Sequence, residues 1–184
     1  MLYLELAKLG IGLFTSISVV VLGYFLNQRL KSIDDAQWQN RKIIEKRIAI
    51  YDDVAPDLNK VYCFCRFLGY WKEISPSDMI NTKRNLDKNV NIYRHLLSDE
   101  FYEKYDKFIH LAFRTYTRHG KDALIRSAIL NYWGDRREHS KYAWEPSFDE
   151  MFDLTDLPID SEFDKAYLSV MNSLRDSVGL SNNT

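Results

Sequence analysis

Residues 9–26, LGIGLFTSISVVVLGYFL, hold eighteen positions without one charged side chain. That stretch restricts what the chain can fold into more than any other feature. At 1.5 Å per residue it makes a helix of about 27 Å, close to the roughly 30 Å hydrocarbon thickness of a bilayer. Ile17, Val19, Val20 and Val21 fall on all sides of such a helix, leaving no polar face for water. Glu5 and Lys8 before the run, and Arg29 and Lys31 after it, are placed to reach the interfaces, with Tyr3 and Tyr24 as an aromatic belt. A cleaved signal peptide would begin basic and leave by a small-residue site. Here Glu5 offsets Lys8, and Asn27-Gln28-Arg29 offers no such site. The expectation is one transmembrane helix over residues 9–28, behind a short extracytoplasmic tip at 1–8.

The flanks orient it. Arg29, Lys31, Arg41, Lys42, Lys46 and Arg47 follow the run, against a single Lys before it. An excess of Lys and Arg marks the cytoplasmic side. The protein is therefore expected in the cell inner membrane, single-pass, amino terminus out, with the bilayer as its first partner. Gly12 and Ser16 form a small-xxx-small pair of the kind that lets membrane helices approach closely, although Gly and Ser are common in such helices anyway. Cys63 and Cys65, the only cysteines, would stay thiols in a reducing compartment.

Beyond the membrane the periodicity is helical. Residues 29–43 read as a juxtamembrane stalk and 44–180 as a cytoplasmic helical bundle. Ile44, Ile48, Tyr51, Ala55, Leu58, Tyr62 and Cys65 make a heptad-like stripe, with Pro56 predicting a kink or boundary near Ala55. Pro76-Ser77-Asp78 starts a second helix with Met79, Leu86, Val90, Tyr93 and Leu97 on one face. Ser98 caps a third, carrying Phe101, Tyr105, Phe108, Ala112 and Thr115 and ending before His119-Gly120. Residues 122–133 read as a shorter helix stopped at Gly134. Ser161 opens the last helix, over 162–178, with Phe163, Tyr167, Val170 and Leu174 inward and Gly179 as its stop. No alternating pattern flanked by hairpin turns is read. The fold class expected is all-α: one transmembrane helix followed by an antiparallel helical bundle.

Charge is segregated along the chain but balanced over it. Residues 145–164 hold eight acids and no base, whereas 104–141 hold nine Lys and Arg against four acids. Pairing of the two regions inside the bundle is one reading; an acidic loop covering a basic surface is the other. A formal net charge of −1 argues against whole-surface nucleic-acid binding.

The search for catalytic chemistry is mostly negative. Phosphate-binding Gly-rich loops, His-Glu-x-x-His and nucleophile elbows are missing, so no cofactor and no metal is expected. Cys63 and Cys65 are two apart, about 200° around a helix, which suits core thiols rather than a redox or zinc pair. His95, His110, His119 and His139 are scattered. One arrangement is sharper. Arg114 and His119, in the order Arg-x4-His, resemble the signature of HEPN-domain ribonucleases. That family builds its site from two copies, the His working as acid and base on a ribose 2′-hydroxyl and the Arg stabilising phosphate. Thr115 departs from the pattern, since the family usually carries Asn, Asp or His there. The same residues also suit a basic helix terminus favoured by the macrodipole.

A broader resemblance rests on residues 47–59 (RIAIYDDVAPDLN), on Tyr70-Trp71-Lys72-Glu73 and on Gly120-Lys121-Asp122-Ala123. These look like phrases recurring in bacterial proteins with one amino-terminal membrane helix and a helical cytoplasmic domain, a group with no assigned chemistry. The organisation is also similar to membrane-anchored effectors of prokaryotic defence systems, such as those encoded beside retrons. The expectation is a non-enzymatic interaction or effector module, with a protein partner or further copies of itself as second partner. Self-association would run through the membrane helix and the 44–65 stripe. The alternative is a membrane-tethered HEPN-like ribonuclease using Arg114 and His119, the one reading that adds a nucleic-acid partner.

Overall fold

A computed structural model describes the backbone of residues 2–118 and 121–180, and the side chains of 19–115 and 123–180. The chain is mostly helical, with a few short strands. It divides into two compact units, Met1–Glu45 and Lys46–Thr184.

The first unit is helix. α1 is assigned over Leu2–Arg66, passing through Pro56, so the boundary expected near Ala55 is not there. In residues 19–45 every side chain is exposed, including Val20 at 71% and Phe25 at 62%. Residues 9–18 of the uncharged run have no described side chains, so the helix expected over 9–28 lies partly outside the described residues, as do Gly12 and Ser16. Among the described residues no helix is long and apolar enough to cross a membrane.

The second unit packs around the end of α1. Its inward line is Ile50, Val54, Leu58, Val61 and Phe64, all 1% exposed or less. Tyr51 and Tyr62 of the expected stripe sit at the edge of this core, while Ile44 and Ile48 are exposed. The 4-3 spacing thus selected one margin of a broad apolar face. After α1 come a 3-10 turn at Trp71–Glu73 and helix α2 at Pro76–Ile92. Ser75 caps α2 with a full capping box: its hydroxyl accepts from the Asp78 N–H and the Asp78 carboxylate accepts from the Ser75 N–H. A 3-10 turn at Arg94–Leu96 leads to α3 at Asp99–Ala112, capped by Ser98. The last long helix, labelled α6 below, spans Asp160–Ser177. Ile159 rather than Ser161 stands at its N-cap, with Asp160 and Glu162 against the helix dipole.

Side-chain pairs fix the directions of packing. Asn59, Tyr62 and Arg66 of α1 meet Tyr167, Asp164 and Asp160 in that order, so α1 and α6 run antiparallel. Ser98 meets Ser177 while Phe108 meets Phe163, so α3 is also antiparallel to α6. Lys46 lies over the Tyr93 ring, closing the end of α2 against the beginning of this part of α1. Burying side chains such as Phe108, Phe163 and Leu174 contributes about 1.5–3 kcal/mol apiece. Lys83 is buried too, tied to Asp87 at 2.6 Å, whose second oxygen accepts from the Tyr105 hydroxyl.

Residues 113–135 correct the all-helical expectation. α3 stops at Ala112, and Phe113–Arg118 is strand β1, paired antiparallel with β2, Lys121–Ile125. Phe113 faces Ile125 and Thr115 faces Ala123. Thr115 therefore does not belong to the third helix, and the helix expected over 122–133 does not form. Its place is taken by β2 and a second hairpin, β3 at Leu130–Asn131 with β4 at Gly134–Asp135. Phe113-Arg114-Thr115-Tyr116-Thr117 is rich in β-branched and aromatic residues, which favour a pleated surface. Short helices α4, Arg136–His139, and α5, Pro146–Asp149, interrupt the otherwise irregular run to α6.

Candidate functional site

The β1–β2 hairpin and the loop before α6 build one cleft. Ile125 bridges Phe152, its N–H donating to the Met151 carbonyl at 2.7 Å and its carbonyl accepting from the Asp153 N–H at 2.9 Å. That pairing sets Asp153 beside Arg114 of β1, whose Nη1 donates to Asp153 Oδ2 at 3.2 Å. Asp153 is buried, and its other oxygen accepts from the Thr155 hydroxyl at 2.6 Å and the Thr155 N–H at 3.1 Å. The Thr155 donors, then Arg114, hold its carboxyl below the usual carboxylate range. Arg126 follows β2 and grips Asp156 through its carboxylate and carbonyl, giving Nη1 to the His110 carbonyl at 2.8 Å. Arg114, Arg126, Asp153, Thr155 and Asp156 line about 350 Å³.

Of the two residues singled out for the ribonuclease reading, Arg114 stands on a strand, with Asp153 as partner. His119 lies outside the described residues. The His110 ring lies over Asp106 and only its carbonyl reaches Arg126. In this cleft each guanidinium meets a carboxylate, an arrangement that orders two loops. No group of three or more His, Cys, Asp and Glu able to hold a metal occurs among the described residues.

A second feature sits at the end of α1, and sequence reasoning missed it. Arg136 is 1% exposed, and no ion pair with a carboxylate is found for it among the described contacts. Its guanidinium lies 3.7 Å from the Phe67 ring centre and 4.0 Å from that of Phe64. Nη2 donates to the Phe64 carbonyl at 2.6 Å and to Ser127 Oγ at 3.0 Å, and Nε donates to the Ala128 carbonyl at 2.9 Å. Nη1 has no partner. Burial pulls its pKa down to about 10, still charged at neutral pH.

Phe67 ends α1 in the left-handed region (φ 57°), where glycine is usual. The Leu68 N–H reaches the Cys63 carbonyl and the Phe67 N–H the Phe64 carbonyl, a Schellman closure. The strain of about 1–3 kcal/mol is offset by stacking on Arg136 and on Trp71 at 4.9 Å. Beside this box Cys65 is pushed up to about 12 by burial, and the Cys63 thiol is raised the same way. Both are therefore protonated at neutral pH and poor nucleophiles.

The box carries the β3–β4 hairpin. Its turn exposes Tyr132 at 92% and Trp133 at 67%, rings edge to face at 5.3 Å, with the Trp133 N–H donating to Asn131 Oδ1. Gly134 (φ 132°) holds a conformation that side chains rarely adopt, and a Cβ there would also displace the exposed His139 ring. Trp133, Asn131, Arg66 and Ser127 help line a small cavity of about 160 Å³. The one signal for this device in the sequence is Gly134-Asp135, a turn followed by a cap in which Asp135 accepts from the Arg137 N–H. The basic and acidic stretches meet in space: Asp153 binds Arg114, Asp156 binds Arg126 and Asp149 binds Arg137. Compared with known protein families, curated proteins and solved structures, the chain matches none.

Proposed function

We propose that this chain is a single-pass inner-membrane protein whose carboxy-terminal unit serves as an interaction or effector module. The observation that carries the reading is the apolar band on α1. Val19, Val20, Val21, Leu22, Tyr24, Phe25 and Leu26 are all exposed on one helix, continuing an uncharged run that begins at Leu9. Seven large apolar side chains around two turns of helix are not sustained in water and call for lipid. Basic residues crowd the carboxy-terminal flank, which puts the second unit in the cytoplasm. The folded unit gives the anchor something to display: an aromatic hairpin braced on a buried arginine. A role in antiviral defence rests on the architecture alone, an anchor joined to a helical unit.

The test is fractionation of cells making the full-length chain. It should float with membranes, resist alkaline carbonate, and be released by deletion of residues 2–28. Protease added to intact spheroplasts should spare the second unit. Recovery of the full chain in the aqueous fraction, or digestion of that unit in intact spheroplasts, overturns the reading.

A further inference from the structure

We propose that residues 26–44 of α1 form a parallel coiled coil with other copies of this chain. The proposal deepens the membrane reading, on which its parallel orientation rests. The self-association surface expected over 44–65 is not free, because Ala55 and Leu58 are buried in the second unit's own core. The free seam lies earlier. Leu26, Leu30, Ile33, Gln37, Asn40 and Ile44 follow each other at 4-3-4-3-4, the spacing of a 3.5-residue repeat. All six are exposed, Leu30 at 59% and Ile33 at 50%. In proteins most of a helix's stability comes from packing an apolar face against a partner. The opposite face is polar, with Lys31, Ser32, Asp35, Gln39 and Lys42; its one large apolar residue, Trp38, is exposed, with the Lys42 ammonium 5.9 Å from its ring centre.

A second copy is the occupant this pattern fits, because the pattern is complementary to itself. Gln37 and Asn40 would meet Gln37 and Asn40 of the neighbouring copy. A side-chain amide both donates and accepts, so like pairs with like, and such polar layers fix register at some cost in stability. Arg29 and Asp34 flank the seam five residues apart. In a parallel in-register coil that separation brings Arg29 of one copy to Asp34 of the next, opposite in sign. Leu30 and Ile33 occupy the two seam positions in an order that favours more than two strands. Anchors in one bilayer hold the copies parallel and raise their effective concentration, so a short coil suffices.

The experiment is cysteine scanning of the full-length chain in native membranes under mild oxidation, with the unsubstituted chain reporting any background from Cys63 and Cys65. Ile33→Cys and Asn40→Cys should give disulfide-linked dimer at least about fivefold above Asp35→Cys and Gln39→Cys, because a disulfide needs Cα atoms within about 7 Å. Adding Ile33→Glu to the Asn40→Cys chain should abolish its dimer. Equal dimer at all four positions, or none at any, overturns the coiled coil. The pattern is scored in whichever fraction the chain occupies, so failure of the coil and failure of the anchor are read separately.

Discussion

Replacing Arg136 by Met tests whether a buried cation without a carboxylate braces the second unit or burdens it. Three hydrogen bonds from the guanidinium are lost, at 2.6, 2.9 and 3.0 Å. Bonds from a charged donor contribute about 1.5–3 kcal/mol each, so the loss is about 4–9 kcal/mol. Against it stands relief of the buried charge. A pKa pulled down to about 10 reflects a burial cost of about 3.5 kcal/mol, at about 1.4 kcal/mol per pH unit. Met restores most of the volume between Phe64 and Phe67, so cavity cost is small. The Phe64 carbonyl keeps the Phe67 N–H, but the Ala128 carbonyl loses its arginine donor. The net expectation is a loss of about 1–5 kcal/mol, or a fall in Tm of about 10 °C at the middle of that range. Urea unfolding of the detergent-solubilised full chain, followed by tryptophan fluorescence and circular dichroism, measures it. A variant as stable as the parent or more so would refute the reasoning, since many buried charges are better replaced by apolar side chains. Arg136→Lys should lose nearly as much, because an ammonium cannot stack flat on Phe67 while reaching three acceptors.

Two further outcomes follow from the arginine cleft. Asp153 has a folded pKa below its unfolded one, so its stabilisation is present above the ordinary carboxylate range near pH 4 and is lost as pH falls through the lower folded value. Thr155→Val should flatten that acid limb more than Arg114→Ala, measured by urea unfolding between pH 3 and 6; equal limbs would contradict the order of causes. In cells making the full chain, Arg114→Ala and His119→Ala should leave RNA integrity and toxicity unchanged. Loss of an RNA-cleaving or toxic activity in both variants, with helicity intact, would restore the ribonuclease alternative.

What was legible in the sequence was whatever an amphipathic helix writes with its own side chains. Met79, Leu86 and Val90 of α2, and Phe101, Tyr105, Phe108 and Ala112 of α3, are buried as their spacing predicts. Ser98 caps its helix, and Gly179 follows the last one at φ 84°. Illegible was structure written in two segments at once. Among the described side chains β1 buries Phe113 and β2 buries Ala123 and Ile125, too few for a pattern, and Ile125 is completed by Phe152, twenty-seven residues on. No window over 122–133 contains that partner, and Ala123, Leu124, Ile125, Ala128 and Ile129 satisfy a helical template equally well. Arg136 was invisible for the same reason. Its acceptors come from residues 64, 127 and 128, and a lone arginine after Gly134-Asp135 reads as a surface charge.

The segregation of charge along the chain resolves in space into pairs, the first of the two readings the sequence allowed. Read linearly, nine bases in residues 104–141 stand apart from the eight acids of 145–164. Folded, Arg114, Arg126 and Arg137 are matched by Asp153, Asp156 and Asp149, Lys141 by Glu73, and Lys104 by Glu100. Arg136 is spent on backbone carbonyls and aromatic faces. A polyanion binding at these positions would have to displace those pairs. Among the side chains the second unit leaves outward are large aromatic ones, Tyr132 and Trp133 above all. What residues 19–44 leave outward is an apolar band followed by a seam. Surfaces of that kind are satisfied by lipid and by protein. That is the physical ground for the proposal of an assembled membrane module.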